Sequence, residues 1–363
     1  MRFALTDEQL ELRKTVKGLV ERRVRAVGLR EAMAAPQGYD TQLWADLCTQ
    51  IGVAALAVPE QYGGAGFTSF ETHLVAEQLG ESLSPAPLLG SAVLATQAIL
   101  LSGNDAAAKR LLPGLADGSV TAAVAWSGWR LDGGGVTATT SDGRRLSGTA
   151  DLVLGGENET LLAIARTGDS VGIFEVDQSD GVRWTRTPAL DPTLQLASVT
   201  FDRADAEPLL MDARHEVREL GARAATAVTA LQVGGAQAAL DRTVAHLKER
   251  HQFGRALGSF QALKHRVADL LVGVESARSV SWSAAWSAAT GIGDLPVRAA
   301  TAKAWCSQAF TSAAAEMIQL HGGIGITWEH DAHLYFKRAH ATALLFGSPQ
   351  VHRRALAPAG RRA

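Results

Sequence analysis

The stretch VTATTSDGRRLSGTADLVLGG, Val136 to Gly156, alternates polar and apolar residues in a chain whose flanks read as helical. Threonine and valine are frequent in it, and a Ser-Asp-Gly triplet (Ser141 to Gly143) separates two strand-like runs, which is typical of a β-hairpin. Further strand-like runs follow at intervals of about ten residues and continue to about Asp205. This spacing predicts a small antiparallel barrel or sandwich in the middle of the chain.

The residues before this stretch are predicted to form helices. Thr6 and Gln9 have the spacing of a capping box. Apolar residues then follow at three- and four-residue steps, namely Leu12, Val16, Leu19 and Val20. A cluster of turn residues around LPGLADGS closes this helical third.

The residues after Asp212 are again helical in pattern. One face of the first helix carries Val217, Leu220, Ala224, Ala227 and Leu231, and small residues there allow helices to approach closely. Pro296 suits the start of a later helix and Gly322 suits its end. The order of helices, strands and helices predicts an α+β protein with domains at 1–120, 121–212 and 213–363.

The bulk composition is that of a soluble globular protein, with 363 residues, 47% hydrophobic and 20% charged. The formal net charge of −2 gives no field that would attract nucleic acid or an anionic membrane, and the tail GRRA (Gly360 to Ala363) is too short for a polybasic arm. Cys48 and Cys306 lie far apart, and there is neither a signal-like start nor a long apolar run. These features predict a cytoplasmic protein without a membrane segment.

Common catalytic motifs are absent from the sequence: there is no GxxxxGK[ST], HExxH or GxSxG. The run GGAGFTS, Gly63 to Ser69, lacks a third glycine and precedes no βαβ pattern, so it is interpreted as a turn. His330 and His333 have no neighbouring ligand cluster and are interpreted as a solvated helix face or cap. No metal site is predicted.

Three short segments of the last third stand out together. They are RHQFG (Arg250 to Gly254) with a following Phe260-Gln261 pair, QLHGGIG (Gln319 to Gly325), and FGSPQ (Phe346 to Gln350). Each alone has a plain structural interpretation. Arg250 could stabilise a helix C-terminus that Gly254 ends, and HGG could be a helix stop.

With the helix–strand–helix order, these segments closely resemble the acyl-CoA dehydrogenase family over the whole chain. The resemblance implies an N-terminal helical domain, a middle antiparallel β-barrel and a C-terminal four-helix bundle that mediates a tetramer. It also implies FAD shared across a subunit interface. A guanidinium fork suits the diphosphate of FAD, and on the family's pattern the residues at the ADP half are Arg250, Gln252, Phe253, Gln261, Gln319, Gly322 and Gly323. Ser348 and Gln350 match family residues that contact the cofactor from the other side.

The family's reaction is α,β-desaturation of an acyl-CoA, in which a carboxylate removes the α-proton and the β-hydrogen leaves as hydride to the flavin. The usual glutamate position holds Phe346 in this chain. The family's other position for the base falls at Ala224, and the neighbouring arginine is replaced by Ala225. No catalytic residue is therefore predicted.

The middle domain departs from the family's pattern as well. The family's Thr-Glu-Pro segment, which touches the flavin ring, corresponds to Ala125-Trp126-Ser127. The positions of a stacking tryptophan and a hydrogen-bonding threonine correspond to Leu152 and Leu154. The losses thus concentrate where the isoalloxazine and the acyl chain would sit, while the ADP-facing residues remain.

The loss of the ring-facing and acyl-facing residues, with the ADP-facing residues kept, predicts a non-catalytic subunit. Such a subunit would complete the FAD site of a catalytic acyl-CoA dehydrogenase chain in an α2β2 tetramer. Such heteromers occur in actinobacterial breakdown of steroid side chains. The partner would bind most of the acyl-CoA, and an electron-transfer flavoprotein or a similar protein would accept the electrons.

Three alternatives remain open at this point. The chain could be a self-sufficient homotetrameric dehydrogenase with a displaced base such as Glu216 or Glu219. It could be a flavin-dependent monooxygenase, which needs no such glutamate. It could also be a flavin-free scaffold, although a scaffold has no need of the RHQFG and QLHGG segments.

Overall fold

A computed structural model describes residues 4–140, 142–157, 160–178 and 180–357. Ser141 of the predicted turn and the GRRA tail at 360–363 lie outside these ranges. The chain forms two compact units, one of Met1–Val75 with Pro85–Ala224 and the other of Ala76–Ser84 with Ala225–Ala363.

The chain begins with helices, as the sequence predicted. They are α1 (Asp7–Val27), α2 (Leu29–Ala34), α3 (Thr41–Asp46), α4 (Ser69–Ser82), α5 (Thr96–Leu101) and α6 (Asp105–Asp117), with π-helical turns at Leu47–Ile51 and Leu88–Ala95. The capping box is confirmed, because Thr6 Oγ1 accepts from the Gln9 amide at 3.3 Å and Gln9 Oε1 accepts from the Thr6 amide at 3.1 Å.

The middle of the chain forms one sheet. Its strands are β1 (Ala122–Ala125), β2 (Val136–Ala138), β3 (Arg145–Leu154), β4 (Thr160–Thr167), β5 (Ser170–Val176), β6 (Val182–Arg186) and β7 (Leu196–Leu210). The order is β1-β4-β2-β3-β7-β5, with β6 on β7 and a further pairing of β4 with β5. Apolar side chains fill its buried face, among them Val136, Leu146, Ala163 and Val199.

The predicted antiparallel pairing is wrong for two pairs, since β1 and β2 both run parallel to β4. β1 pairs with Thr160 to Ala163 and β2 pairs with Arg166, while β5 pairs antiparallel along β4. The 3₁₀ turn Ser127–Trp129 lies between β1 and β2. Hairpin spacing alone could not show that these two strands join β4 in parallel. The predicted barrel stays a prediction.

The last third is helical, with α7 (Arg214–Glu249), α8 (Gln261–Thr290), α9 (Leu295–His321), α10 (Ala332–Leu344) and α11 (Pro349–Leu356). The predicted boundaries of α9 are confirmed: Pro296 lies in its first turn, and Gly322 ends it with φ 63°. The interpretation of Gly254 as the end of α7 is wrong, because α7 ends at Glu249.

Helices of the second unit approach closely at glycine. A Cβ added at Gly234 of α7 would lie 1.9 Å from the carbonyl oxygen of Glu77, and one at Gly80 would lie 2.5 Å from that of Leu231. Backbone atoms cannot yield as a flexible side chain can. The segment Ala76–Ser84 therefore packs on α7 at a distance that only glycine permits.

We expect Gly234→Ala to lower the free energy of unfolding by about 1–3 kcal/mol or more, because overpacking forces the helices apart. Gly273→Ala is the matched control in α8, since an added Cβ there has no heavy atom within 4 Å. It should raise stability by about 0.5–1 kcal/mol through helix propensity. Urea unfolding of both variants checks this, and equal effects at the two positions would contradict the close approach.

A buried ion pair ties Ala76–Ser84 to α8 within the same unit. Arg278 Nε lies 3.1 Å from Glu77 Oε1, and the Trp282 indole donates to Glu77 Oε2 at 3.0 Å. Arg278 also donates to Gln237 Oε1 at 2.8 Å and pairs with Glu275. The Glu77 side chain is only 1% exposed, so these partners offset its desolvation.

Among the described residues, no helix is both long and apolar enough to cross a membrane. In the same residues, His, Cys, Asp and Glu side chains nowhere gather in threes as they would to hold a metal ion. The Nδ1 atom of His330 accepts from the Ala332 amide at 3.1 Å, at the start of α10, as a capping side chain does.

Candidate functional site

The RHQFG segment forms a tight hairpin after α7. Its strands are β8 (His251–Gln252) and β9 (Arg255–Ala256). Phe253 and Gly254 form the turn with φ of 53° and 76°, the backbone of a type I′ hairpin. Phe253, at the tip of the hairpin, is 89% exposed. An apolar ring held in this way on a rigid turn is a typical contact residue for a partner.

Two stacked histidines bring this hairpin to the QLHGG segment. His246 lies one turn before Arg250, and its ring stacks on that of His321 with centroids 4.3 Å apart. Burial lowers the pKa of both rings, which favours the neutral forms that can stack. The ends of α7 and α9 therefore meet, and the first two predicted cofactor segments share one end of this unit.

The polar side chains predicted to hold a cofactor are exposed: Arg250, Gln252, Gln261, Gln319 and Gln350. Within the described part of the chain, none of these five side chains forms a hydrogen bond or an ion pair. Gly322 and Gly323 also leave open space, because an added Cβ would meet no heavy atom within 4 Å. This surface offers free donors and close backbone approach, as a diphosphate requires.

The third segment lies elsewhere on the second unit. Ser348 caps α11 by accepting from the Val351 amide at 3.4 Å, and the turn before it contacts Lys303 of α9. Lys303 precedes Gln319 by sixteen residues of α9, which is about 24 Å of helix. The nine predicted cofactor residues therefore form two groups, with Ser348 and Gln350 apart from the others.

Both positions of the family's base are apolar and buried. Phe346 is 7% exposed with a left-handed φ of 56°, and Ala224 is fully buried within α7 beside Ala225. Neither residue can accept a proton, and each fills its place by packing.

Of the two glutamates considered as a displaced base, Glu219 is already paired with Arg223. Glu219 Oε1 accepts from Arg223 at 2.6 and 2.9 Å, and Arg223 also donates to Gln97 Oε1 at 3.1 Å. Glu216, one turn before Leu220, is partly exposed. To act as a base, the Glu219 carboxylate would have to leave Arg223.

Trp126, Leu152 and Leu154, three of the positions named from the sequence, offer neither a free ring nor a hydroxyl. The Trp126 side chain is 2% exposed, and its indole donates to the Arg130 carbonyl at 2.8 Å. Leu152 has φ 60° within a register shift between Ala150 and Val153, and Leu154 is buried. This register shift breaks the regular alternation of side chains along β3.

Lys303 was missed by the sequence reasoning. It lies fully buried in α9, and burial lowers the pKa of its ammonium to about 7. The signal was present, since a lysine on an alanine-rich helix face at the spacing of Ala299 and Ser307 is unusual.

Comparisons with known proteins agree with this architecture. The family description "Acyl-CoA dehydrogenase, N-terminal domain" matches residues 6–119, and "Acyl-CoA dehydrogenase, C-terminal domain" matches residues 221–360. The chain is 40% identical over 349 residues to acyl-CoA dehydrogenase IpdE2 of Mycobacterium tuberculosis, covering 95% of this chain and 94% of that protein. The chain belongs to the acyl-CoA dehydrogenase family.

Two solved acyl-CoA dehydrogenase-like structures are similar throughout. The ChsE4-ChsE5 complex from Mycobacterium tuberculosis has a TM-score of 0.87 and 28% identity, covering 99% of this chain and 100% of that one. A variant described as Tcur3481-Tcur3483 steroid ACAD has a TM-score of 0.87 and 30% identity, covering 96% of each chain. The predicted acyl-CoA dehydrogenase fold, with helical, β-sheet and helical parts in that order, is thereby confirmed.

Proposed function

We propose that this chain is the non-catalytic subunit of an α2β2 acyl-CoA dehydrogenase. In this role it completes the FAD site of a catalytic partner, and the complex desaturates a bulky acyl-CoA such as a steroid side-chain thioester. One observation carries the proposal. The exposed side chains around Arg250 in the second unit pair with no other described residue, while both base positions hold buried apolar residues, Phe346 and Ala224.

The relatives support the heteromeric part of the proposal. The two solved structures are each named as a pair of chains, and one is named as a steroid acyl-CoA dehydrogenase. Exposed apolar side chains near the hairpin suit a second subunit. Phe253 is joined there by Ile326 and Trp328, which are also largely exposed.

The residues of the second unit fit the ADP half of FAD. Arg250 would pair with the diphosphate, Gln252, Gln261 and Gln319 would hydrogen-bond its polar edges, and Gly322 and Gly323 would allow backbone approach. FAD, when bound, supplies the hydride acceptor for desaturation. The sheet residues do not fit the isoalloxazine, because Trp126 is packed inward and Leu152 and Leu154 have no hydrogen-bonding group.

The loss of the base follows from the pairing. Once the partner performs the chemistry, the side chain at position 346 needs only to pack, and a buried phenylalanine is more stable than a buried unpaired carboxylate. A displaced base is disfavoured, since Glu219 is held by Arg223. A flavin-free scaffold is disfavoured by the unpaired side chains around Arg250.

We also propose an organisation for the chain and its complex. We place the domain boundaries at 1–120, 121–212 and 213–363, close the middle sheet into a barrel, and assign the acyl-CoA to the partner's pocket. The complex works in the cytoplasm and passes electrons to an electron-transfer flavoprotein or a similar acceptor.

We expect Phe346→Glu to create no dehydrogenase activity in the isolated chain, because the residues that would hold the flavin ring are still absent. Reduction of an artificial electron acceptor with acyl-CoA substrates measures this. Phe346→Gln serves as the uncharged control for folding, and the co-expressed complex serves as the active reference. Desaturation by the Phe346→Glu chain alone would overturn the assignment of an idle site.

A further inference from the structure

The turn that carries Phe346 has an unusual backbone. Phe346 and Gly347 are consecutive left-handed residues, with φ of 56° and 101°. A non-glycine residue in this region is strained and persists only where its surroundings enforce it. The Gly347 amide donates to the Leu344 carbonyl at 3.2 Å and closes the turn. One hydrogen bond is not enough to hold two consecutive residues in the left-handed conformation.

The buried Lys303 ammonium supplies part of the enforcement. Its Nζ donates to the Ala343 carbonyl at 2.9 Å, the Gly347 carbonyl at 3.2 Å and Ser307 Oγ at 3.1 Å. Ala343 lies in the last turn of α10, where carbonyls lack helical partners. One side chain of α9 therefore joins the end of α10 to the turn that follows it.

His352 of α11 supplies the rest. Its Nε2 lies 2.9 Å from the Phe346 carbonyl, and since a carbonyl only accepts, this nitrogen carries the proton. The carbonyls of Ala343, Phe346 and Gly347 are thus taken by side chains of α9 and α11. Ser348, immediately after the turn, is the N-cap of α11.

We propose that Lys303 and His352 are positioning residues that clamp the turn Leu344–Gly347 and thereby fix where Ser348 and Gln350 are presented. The clamp itself stands on this chain's geometry alone. Its consequence for flavin rests on the proposed function, in which Ser348 and Gln350 contact the cofactor.

The burial of Lys303 should make the stability of the chain depend on pH. The groups that face the Lys303 ammonium are Ser307 and Cys306 of α9, the Ala343 and Gly347 carbonyls, and His352 of α11. In the described part of the chain, no carboxylate forms a salt bridge with Lys303. Burial sets its pKa near 7, against 10.5 when unfolded. The unfolded chain therefore binds more protons between these values, and stability should rise with pH across that window, by at most about tenfold in the folding constant per pH unit.

Hydrogen exchange on the full chain tests the clamp directly. In Lys303→Met, which keeps volume but has no donor, the amides of residues 344–352 should exchange at least about tenfold faster, as expected for the loss of two hydrogen bonds. Amides in the middle of α8 should be unchanged. The rise of the unfolding midpoint between pH 7 and 10 should also disappear, which loss of packing alone would not cause.

His352→Leu tests the hydrogen bond from His352 to the Phe346 carbonyl. It removes a single partly buried donor, so it is informative even where Lys303→Met fails to fold. It should speed exchange of the same amides and leave the rise of the unfolding midpoint between pH 7 and 10 in place. Unchanged exchange at 344–352 in His352→Leu, or in a folded Lys303→Met, would overturn the clamp.

FAD content separates the clamp from the proposed function. The variants are purified with the co-expressed catalytic chain, and bound FAD is read from its absorbance. Faster exchange together with a lower FAD content supports both the clamp and the proposed function. Faster exchange with full FAD upholds the clamp and overturns the cofactor contact of Ser348 and Gln350.

Discussion

Replacing Arg250 with alanine is expected to weaken FAD binding by the mixed complex about tenfold to a hundredfold. A charge-assisted hydrogen bond contributes about 1.5–3 kcal/mol, and no other described side chain of the chain pairs with this guanidinium to share the loss. The folded state should be unaffected, because Arg250 is exposed at the end of α7. Equilibrium dialysis of the complex against FAD gives the change in Kd.

Lys248→Ala is the matched control, since it removes one positive charge from an exposed position two residues earlier, in the last turn of α7. It should change the Kd for FAD by less than about twofold, as expected for a screened surface charge. Equal losses in the two variants would mean that only the overall field matters. Full FAD binding by Arg250→Ala would contradict the assigned diphosphate contact.

Removing the carboxylate of Glu77 is expected to cost about 3–5 kcal/mol of the free energy of unfolding. Arg278, which is 14% exposed, would lose its buried partner, and the Trp282 indole would lose its acceptor. The loss should fall on the second unit, because the segment Ala76–Ser84 is held there by this pair and by the close contact at Gly234. Chemical unfolding of Glu77→Ala, monitored by tryptophan fluorescence, measures it.

Glu275→Ala provides the comparison, since Glu275 pairs with the same arginine but is 57% exposed. An exposed partner should contribute less than about 1 kcal/mol. A stability loss of similar size in both variants would show that burial does not decide the strength of this network.

Local signals predicted the helical parts of the fold well. The capping box at Thr6 and Gln9 and the proline and glycine that bound α9 depend on neighbouring residues, so their chemistry is visible in the sequence. The parallel pairing of β1 with β4 depends on residues about forty positions apart, and periodicity does not carry such information. The buried pair of Glu77 and Arg278 was missed for the same reason.

The site was predictable only in part. The segments at Arg250 and Gln319 were expected to act together, and the stacking of His246 on His321 brings them to one end. The resemblance implied that Ser348 and Gln350 approach the cofactor from the other side, but local sequence did not show that their turn contacts Lys303, sixteen residues before Gln319 in α9. The role of Lys303 stayed hidden, since its partners are backbone carbonyls that any sequence would provide.

Native mass spectrometry with flavin absorbance tests the central claim most directly. The chain is expressed alone and together with a candidate catalytic acyl-CoA dehydrogenase chain of the same organism that carries the glutamate base. The account predicts a flavin-free or insoluble product when it is expressed alone and a mixed tetramer with one FAD for every two chains when the chains are combined. A yellow homotetramer with one FAD per chain would contradict it.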